Sequence, residues 1–374
     1  MILQEGGWQG RFLLNEWRTG SAGTANVTDK ATGAILATVG LATPHDVAEA
    51  AAAARAAQPA WHATPPEDRA KIFRKAARLI EEHTEAIVPW IIRETGSVRA
   101  KVDFELSMAT GILNASAAML GEPQGLVLPS APGCASIARR IPHGVVGVIA
   151  PFNVPLVLGI RAVSPALATG NAVVLKPAIE TAVSGGVLIA RLMELAGLPA
   201  GLLHVLPGGV DTGEAICTDE NIAMVAFTGS TRAGRRVGEL CGRNLKRVSL
   251  ELGGKNSMIV LDDANLDLAA SNAAFGSWLH QGQVCMATGR ILATRKVAGA
   301  LLDRLTEKAD LLPVGDPATG RVALGPLIGD RQVKAVHAIV CDSVKSGANL
   351  RAGGTHERVA RTIGCSTVLL CSPT

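Results

Sequence analysis

The sequence predicts an α/β protein: a parallel sheet covered by helices on both faces, followed by a second α/β region. Three observations carry this. From residue 145 onward, short continuous apolar runs alternate with stretches of helical period, the pattern of strands buried on both faces. Glycine turns fall where those apolar runs pass into helices. Hydrophobic residues make up 48% of the chain and charged residues 18%, enough apolar material for a well-buried core. At 374 residues the chain exceeds one ordinary core, so two domains are expected.

Residues 44–120 read as helices. Asp46–Ala57 is alanine-rich, Pro65–His83 has apolar residues at helical spacing, and Ala86–Thr95 and Lys101–Leu120 continue the pattern. Residues 121–138, with Pro123, Pro129, Pro132 and several glycines, form a break suited to an extended arm. Val145–Ala150 and Ala172–Lys176 read as strands, and Thr181–Ala196 as a helix stopped by Gly197-Leu-Pro199. Leu203–Leu206 and Met224–Thr228 are short apolar strands, with a helical pattern after Gly229. Then come strand Met258–Leu261, helix Leu266–His280, and helical segments at 296–310 and 330–346 around the loop Pro313-Val-Gly-Asp-Pro317. Val359–Thr374 shows neither period.

Several function classes are disfavoured. Net charge is +4 without a Lys/Arg block, so no nucleic-acid surface is indicated. The longest run free of both charged residues and histidine, Gly144–Ile160, contains Pro151, Asn153 and Pro155 and reads as a buried strand feeding a loop rather than a membrane span. The N-terminus lacks the basic and apolar regions of a secretory signal. Seven scattered cysteines without a Cys-x-x-Cys argue against a disulfide framework or a zinc site, and a reducing cytoplasm fits. Tyrosine is absent, so any substrate pocket is largely aliphatic.

The chemistry concentrates in two segments. Glu251-Leu-Gly-Gly-Lys-Asn256 places a carboxylate at the edge of a glycine turn, and Gly282-Gln-Val-Cys285 places a thiol after another glycine. A thiolate that attacks a carbonyl and a base that later directs water at the thioester are what covalent carbonyl chemistry needs. A buried structural thiol is the rival reading of Cys285, but the polar Gln281-Gly-Gln283 beside it disfavours a core position. His280 reads as a helix-end residue rather than the thiol's partner. Phe227-Thr-Gly-Ser-Thr-Arg-Ala-Gly234, between strand and helix, fits either a structural turn or a pyrophosphate cradle at a helix N-terminus. Lys176, at a strand's carboxyl end, is either a solvated strand-end lysine or a donor to a ribose hydroxyl or a phosphate, the strand context favouring the second. Asn153, between Pro151 and Pro155, is either an Asx-turn residue or a donor to a developing oxyanion.

Taken in order, Pro151-Phe-Asn153, Gly170-Asn-Ala-Val-Val-Leu-Lys176, Phe227-Thr-Gly-Ser230, Glu251-Leu-Gly-Gly254 and Gly282-Gln-Val-Cys285 resemble the aldehyde dehydrogenase superfamily. The resemblance runs from about residue 26 to about 355 and is strongest to its benzaldehyde dehydrogenase group. It implies a Rossmann-type cofactor domain (1–123 and 143–253), an oligomerisation arm (124–142) and a catalytic domain (254–374) that is incomplete. It further implies that Cys285 attacks an aldehyde, that Asn153 and the Cys285 N–H hold the oxyanion, and that Glu251 activates the hydrolytic water. NAD or NADP would bind at Lys176, Ile179, Phe227, Gly229, Ser230 and Leu252. Val154, Leu158, Arg161, Val284 and Met286 would line the substrate tunnel, with Arg161 favouring an anionic or oxygenated aromatic aldehyde. No metal is implied.

Two departures from the family pattern stand out. Relatives run longer, and the Glu-x-Phe-Gly-Pro segment that grips the nicotinamide ribose has no counterpart here. Also missing are the distal tunnel wall and the strand that extends a neighbouring subunit's sheet, which counts against this chain forming the family's homo-oligomers. After His356 the family-like sequence gives way to a Cys/Ser/Thr tail of the kind a frameshift would produce. Two further functions therefore stand beside aldehyde oxidation: a catalytically impaired cofactor-binding remnant, and an acyltransferase or esterase working without hydride transfer.

The second departure concerns the cofactor. NAD-preferring relatives carry Glu three residues after the lysine, where this chain has Ile179, with Glu180 one step on. Losing that carboxylate removes repulsion toward a 2′-phosphate. Initial-rate assays are expected to show turnover with NADP as well as NAD. A discrimination ratio as steep as that of a strict NAD enzyme would contradict this.

Overall fold

The computed structural model describes residues 2–3 and 7–354, together with the backbone of three short strands, Glu357–Val359, Thr362–Gly364 and Val368–Leu370. The proposed frameshift tail otherwise lies outside the described residues. The chain forms two compact units, residues 1–26, 37–87 and 104–251 in the first and 27–36, 88–103 and 252–374 in the second. Residues 27–36 and 88–103 thus depart from the sequence-based boundaries. Asp29 and Arg93 join the two segments, their side chains pairing at 3.0 Å and the Lys30 N–H donating to the Arg93 carbonyl, while Gly96 and Ser97 join them to Gln281 and His280.

The chain opens with β1 (Arg11–Leu14), β2 (Glu16–Thr19), β3 (Thr24–Thr28) and β4 (Ile35–Gly40). Sequence reading misses all four, because each is only four to six residues long and falls below a clear period. The helices α1 (Pro44–Ala63), α2 (Pro66–Glu82), α3 (Thr84–Thr95) and α4 (Arg99–Ala118) follow as expected. Thr43 and Asp46 form a reciprocal capping box that starts α1. The break at 121–138 contains an antiparallel hairpin, β5 (Gly125–Leu128) with β6 (Ser136–Arg139), whose Leu126, Val127 and Ile137 are exposed.

Next come β7 (Val145–Ile149), α5 (Pro155–Ala168), β8 (Ala172–Lys176), a π-turn at Val183–Val187, α6 (Leu188–Ala196) and β9 (Leu203–Val205). The unit closes with α7 (Val210–Thr218), β10 (Ile222–Gly229), α8 (Thr231–Arg243) and β11 (Arg247–Leu252). Seven strands join in the order β11-β10-β7-β8-β9-β1-β2. The central pairs β10–β7, β7–β8 and β8–β9 are parallel, whereas β1 runs antiparallel to both β9 and β2. The expected parallel sheet is present, with an antiparallel edge that the sequence reading does not include.

Helix α5 was not expected in the run after β7; its internal Pro165 obscures the period. Tertiary partners at both ends make the helix. Glu105, fully buried on α4, accepts from the Leu156 and Val157 N–H groups at 2.9 and 3.5 Å, replacing the cap that Val154 cannot supply. At the other end Trp61 Nε1 donates to the Leu167 carbonyl and Arg69 Nε to that of Ala168.

The second unit holds β12 (Asn256–Val260), α9 (Leu266–Trp278), β13 (Thr288–Ala293), α10 (Arg295–Leu311), α11 (Asp330–Lys345) and β14 (Asn349–Ala352). β12 and β13 pair in parallel, and Val260, Ala270, Ala273 and Leu301 form the centre of a small core. Among the described residues no helix is long and apolar enough to cross a membrane.

His204 on β9 fastens the antiparallel edge. Its Nδ1 accepts from the Asn15 N–H at 3.4 Å, which leaves Nε2–H to donate to the Gly201 carbonyl at 3.1 Å. Burial pushes its pKa from 6.5 down to about 4. The neutral form is therefore the folded one: its stabilisation is complete above pH 6.5 and is lost as pH falls toward 4. That gap corresponds to about 3 kcal/mol. Urea midpoints of the native protein are expected to drop across this window, and His204→Gln, which keeps a neutral donor and acceptor, is expected to flatten the drop. Equal pH slopes in both proteins would contradict the assignment.

Candidate active site

Parallel pairing sets the first half of the site. Phe227, Ile149 and Lys176 lie in one row across β10, β7 and β8. The segments leaving these strands therefore emerge at the same end of the sheet, the end where open α/β sheets take ligands. Asn153 is in the loop after β7, at the entrance to α5, and is partly buried. Lys176 ends β8. Burial lowers its pKa, opposed by the nearby carboxylates of Glu180 and Asp211. A Cβ on Gly213 of α7 would lie 3.7 Å from Lys176 Cδ, so α7 packs on the lysine's stem.

Gly229 and Ser230 join β10 to α8. Ser230 caps α8 by accepting from the Ala233 N–H at 3.3 Å. A Cβ on Gly229 would meet the Phe227 ring at 2.6 Å, so glycine is required for the chain to pass so close to that ring. Ile179 is partly buried in a short 3-10 turn, Ile179–Thr181, and Glu180 beside it is exposed.

Glu251, near the end of β11, is exposed, and its Oε2 lies 3.4 Å from Nη2 of Arg161 on α5. Both residues border an open cleft of about 380 Å³, together with His143, Thr169, Asn171 and Phe227. The rest of its lining mixes apolar Val146, Ala162, Pro165 and Met224 with polar Thr228 and Ser249. Val154 and Leu158, at the start of α5, are partly buried.

The second unit presents the thiol. Cys285 and Met286 are exposed at a turn closed by the Ala287 N–H donating to the Val284 carbonyl at 3.0 Å. Val284 and Leu252 are partly buried. The segment before Cys285 is pinned: Gln281 Nε2 donates to the Gly96 carbonyl at 3.2 Å, and the Ile328 N–H donates to Gln283 Oε1 at 3.1 Å.

His280 corrects the sequence reading. Helix α9 ends at Trp278, and His280 lies beyond it, buried and left-handed (φ 50°), with Gln281 also left-handed (φ 56°). His280 Nδ1 sits 3.4 Å from Ser97 Oγ, which contacts Thr95 Oγ1 at 2.5 Å. Tertiary bonding, not helical period, sets this stretch. Glu105 was also missed as a positioning group. The available signal was a carboxylate on the apolar stripe of α4, between Val102 and Ala109.

Comparison with known proteins fits these features. The profile of the aldehyde dehydrogenase family matches residues 17–369. This chain belongs to the aldehyde dehydrogenase family. The match extends beyond both ends of the resemblance read from the motifs. A vanillin dehydrogenase of Amycolatopsis sp. is 52% identical over 95% of this chain and 73% of its own length. The NAD(+)-linked benzaldehyde dehydrogenase of Pseudomonas putida is 48% identical over 94% of this chain and 72% of its own length. The crystal structure of an NAD-dependent benzaldehyde dehydrogenase from Corynebacterium glutamicum superposes with a TM-score of 0.90 at 40% identity, covering 96% of this chain and 79% of that one.

The cysteines test the site's exposure. Cys285 and Cys134 are exposed, whereas Cys217 and Cys241 are fully buried. Peptide mapping after brief alkylation of the native protein is expected to find label on the first two and none on the last two. Label on Cys217 or Cys241 before denaturation would contradict this packing.

Proposed function

We propose that this aldehyde dehydrogenase oxidises an aromatic aldehyde, of the benzaldehyde or vanillin type, to its carboxylic acid with NAD, and also accepts NADP. The observation that carries the reading is the exposed Cys285 turn in a chain about half identical to dehydrogenases named for those two aldehydes.

The residues at the sheet's ligand end fit a dinucleotide. Lys176 supplies a partly buried cation, and Gly229 permits the close approach of backbone that a pyrophosphate needs at the N-terminus of the thirteen-residue helix α8. Ile179 and Leu252 would flank the adenosine and nicotinamide ends, beside Phe227 and Ser230. When bound, the nicotinamide would supply the hydride acceptor.

The chain's own groups account for the remaining chemistry. The Cys285 thiolate adds to the aldehyde carbon, and the carbonyl oxygen becomes an oxyanion held by the Asn153 amide and the Cys285 N–H. Loss of hydride from that adduct leaves a thioester on Sγ. Glu251 takes a proton from water, the resulting hydroxide attacks the thioester carbon, and the C–S bond breaks to release the acid and the thiolate. Glu251 must leave Arg161 to do this. An exposed pair of this kind holds it by only about 0.2–1 kcal/mol, so the carboxylate is readily released. Val154, Leu158, Val284 and Met286 would contact the ring, and Arg161 would favour one bearing oxygen substituents.

Purified protein incubated with benzaldehyde or vanillin and either cofactor is expected to form reduced nicotinamide. Cys285→Ala should lower kcat by at least about a thousandfold, and Asn153→Ala by about a hundredfold. Thermal stabilisation by NAD without any reduced cofactor, or turnover that survives Cys285→Ala, would overturn the proposal.

A further inference from the structure

The Glu251-Leu-Gly-Gly-Lys-Asn256 segment ends on a residue that the aldehyde-oxidation scheme leaves unused. Asn256 Nδ2 lies 3.3 Å from the Cys285 carbonyl oxygen and 3.2 Å from that of Ala287. Both acceptors belong to the turn that presents the thiol, which the Ala287 N–H closes onto the Val284 carbonyl. Two carbonyl oxygens converging on one atom suit a donor with two hydrogens, which the amide NH2 supplies. Aspartate has the same shape but only acceptors, and would set a carboxylate against both carbonyls.

The backbone of Asn256 is itself fixed. It opens β12 and pairs with Thr288, the first residue of β13 and the one that follows Ala287. Ser277 Oγ also donates to the Thr288 carbonyl at 2.8 Å. The amide therefore works from a sheet ladder that already holds the downstream end of the turn, and little freedom is lost in forming its bonds. Gln281 and Gln283 hold the upstream end, whereas Asn256 bonds the main chain of Cys285 itself.

We propose that Asn256 is a positioning residue for the nucleophile: its side-chain amide fixes the Cys285–Ala287 turn, and so sets the aim of Sγ and of the Cys285 N–H. The proposal rests on Cys285 being the nucleophile. Its consequence is that one six-residue segment carries both the base and the latch of the thiol's turn.

Asn256→Ala, Asn256→Asp and Asn256→Ser test it, with kcat, the KM for NAD and the pH profile of Cys285 alkylation by iodoacetamide measured for each. Cys134 serves as the exposed reference thiol, and Cys217 and Cys241 report unfolding. The Ala and Asp variants are expected to lose about tenfold to a hundredfold in kcat, as small misplacements of a reacting group do. Their Cys285-to-Cys134 labelling ratio and its pH midpoint should shift, while the KM for NAD holds and Cys217 and Cys241 stay unlabelled. Serine, which keeps one donor, should recover part of the loss. Ala and Asp variants within about twofold of the native kcat and labelling ratio would overturn the proposal. So would losses that appear only together with labelling of Cys217 and Cys241 in all three variants. Turnover that survives Cys285→Ala would remove the nucleophile assignment itself, a failure distinct from an indifferent Asn256.

Discussion

The parallel pairing of β10, β7 and β8 is the constraint on which the placement of Asn153, Lys176 and Gly229 depends. One register row runs Phe227, Ile149, Lys176, and each strand hands on to a segment with a proposed chemical task. Asn153 follows β7, Lys176 closes β8, and Gly229-Ser230 follows β10. A one-residue slip in this pairing would turn every side chain of a strand to the opposite face and break the row. Gly147 in the middle of β7 opposes such a slip: a Cβ there would meet Ile216 Cγ2 at 2.4 Å, so neither neighbouring valine can take its place.

Helix α5 shows how charge completes what the strands begin. Its first residues follow directly on Asn153 and Val154, and it has no capping side chain of its own. Glu105 supplies the missing acceptor from a fully buried position, and Arg69 and Trp61 serve the opposite end. A carboxyl acceptor at the N-terminus and a guanidinium donor near the C-terminus satisfy the helix's terminal N–H and C=O groups. The loop that carries Asn153 is consequently bounded by a fixed strand and a fixed helix. The Cys285 turn is held in a comparable way, by amide side chains from Gln281, Gln283 and Asn256 bonded to main-chain groups.

Strands and helices with a clear period were legible in sequence: β7, β8, β10 and α1 through α4 lie within a few residues of their expected bounds. Glycine turns at strand ends and a cysteine in a polar stretch carry a local signature, and Asn153, Lys176 and Gly229 do lie at strand ends and Cys285 in an exposed turn. What was not legible depends on partners distant in sequence. The left-handed backbone at His280 and Gln281 rests on contacts with Ser97 and Gly96, and the pairing of Glu251 with Arg161 joins residues ninety apart. The strands β1 and β2 were hidden by their shortness, and α5 by its internal proline.

The central claim is that oxidation proceeds through an acyl group carried on Cys285, with Glu251 needed to release it. Glu251→Gln should form the thioester and fail to hydrolyse it. Intact-mass and peptide mass spectrometry of that variant, after incubation with benzaldehyde and NAD, measures this directly. The account predicts one benzoyl group, borne by the peptide that contains Cys285 and removable by hydroxylamine. An active native protein whose Glu251→Gln variant accumulates no acyl group, or carries it on another residue, would contradict it.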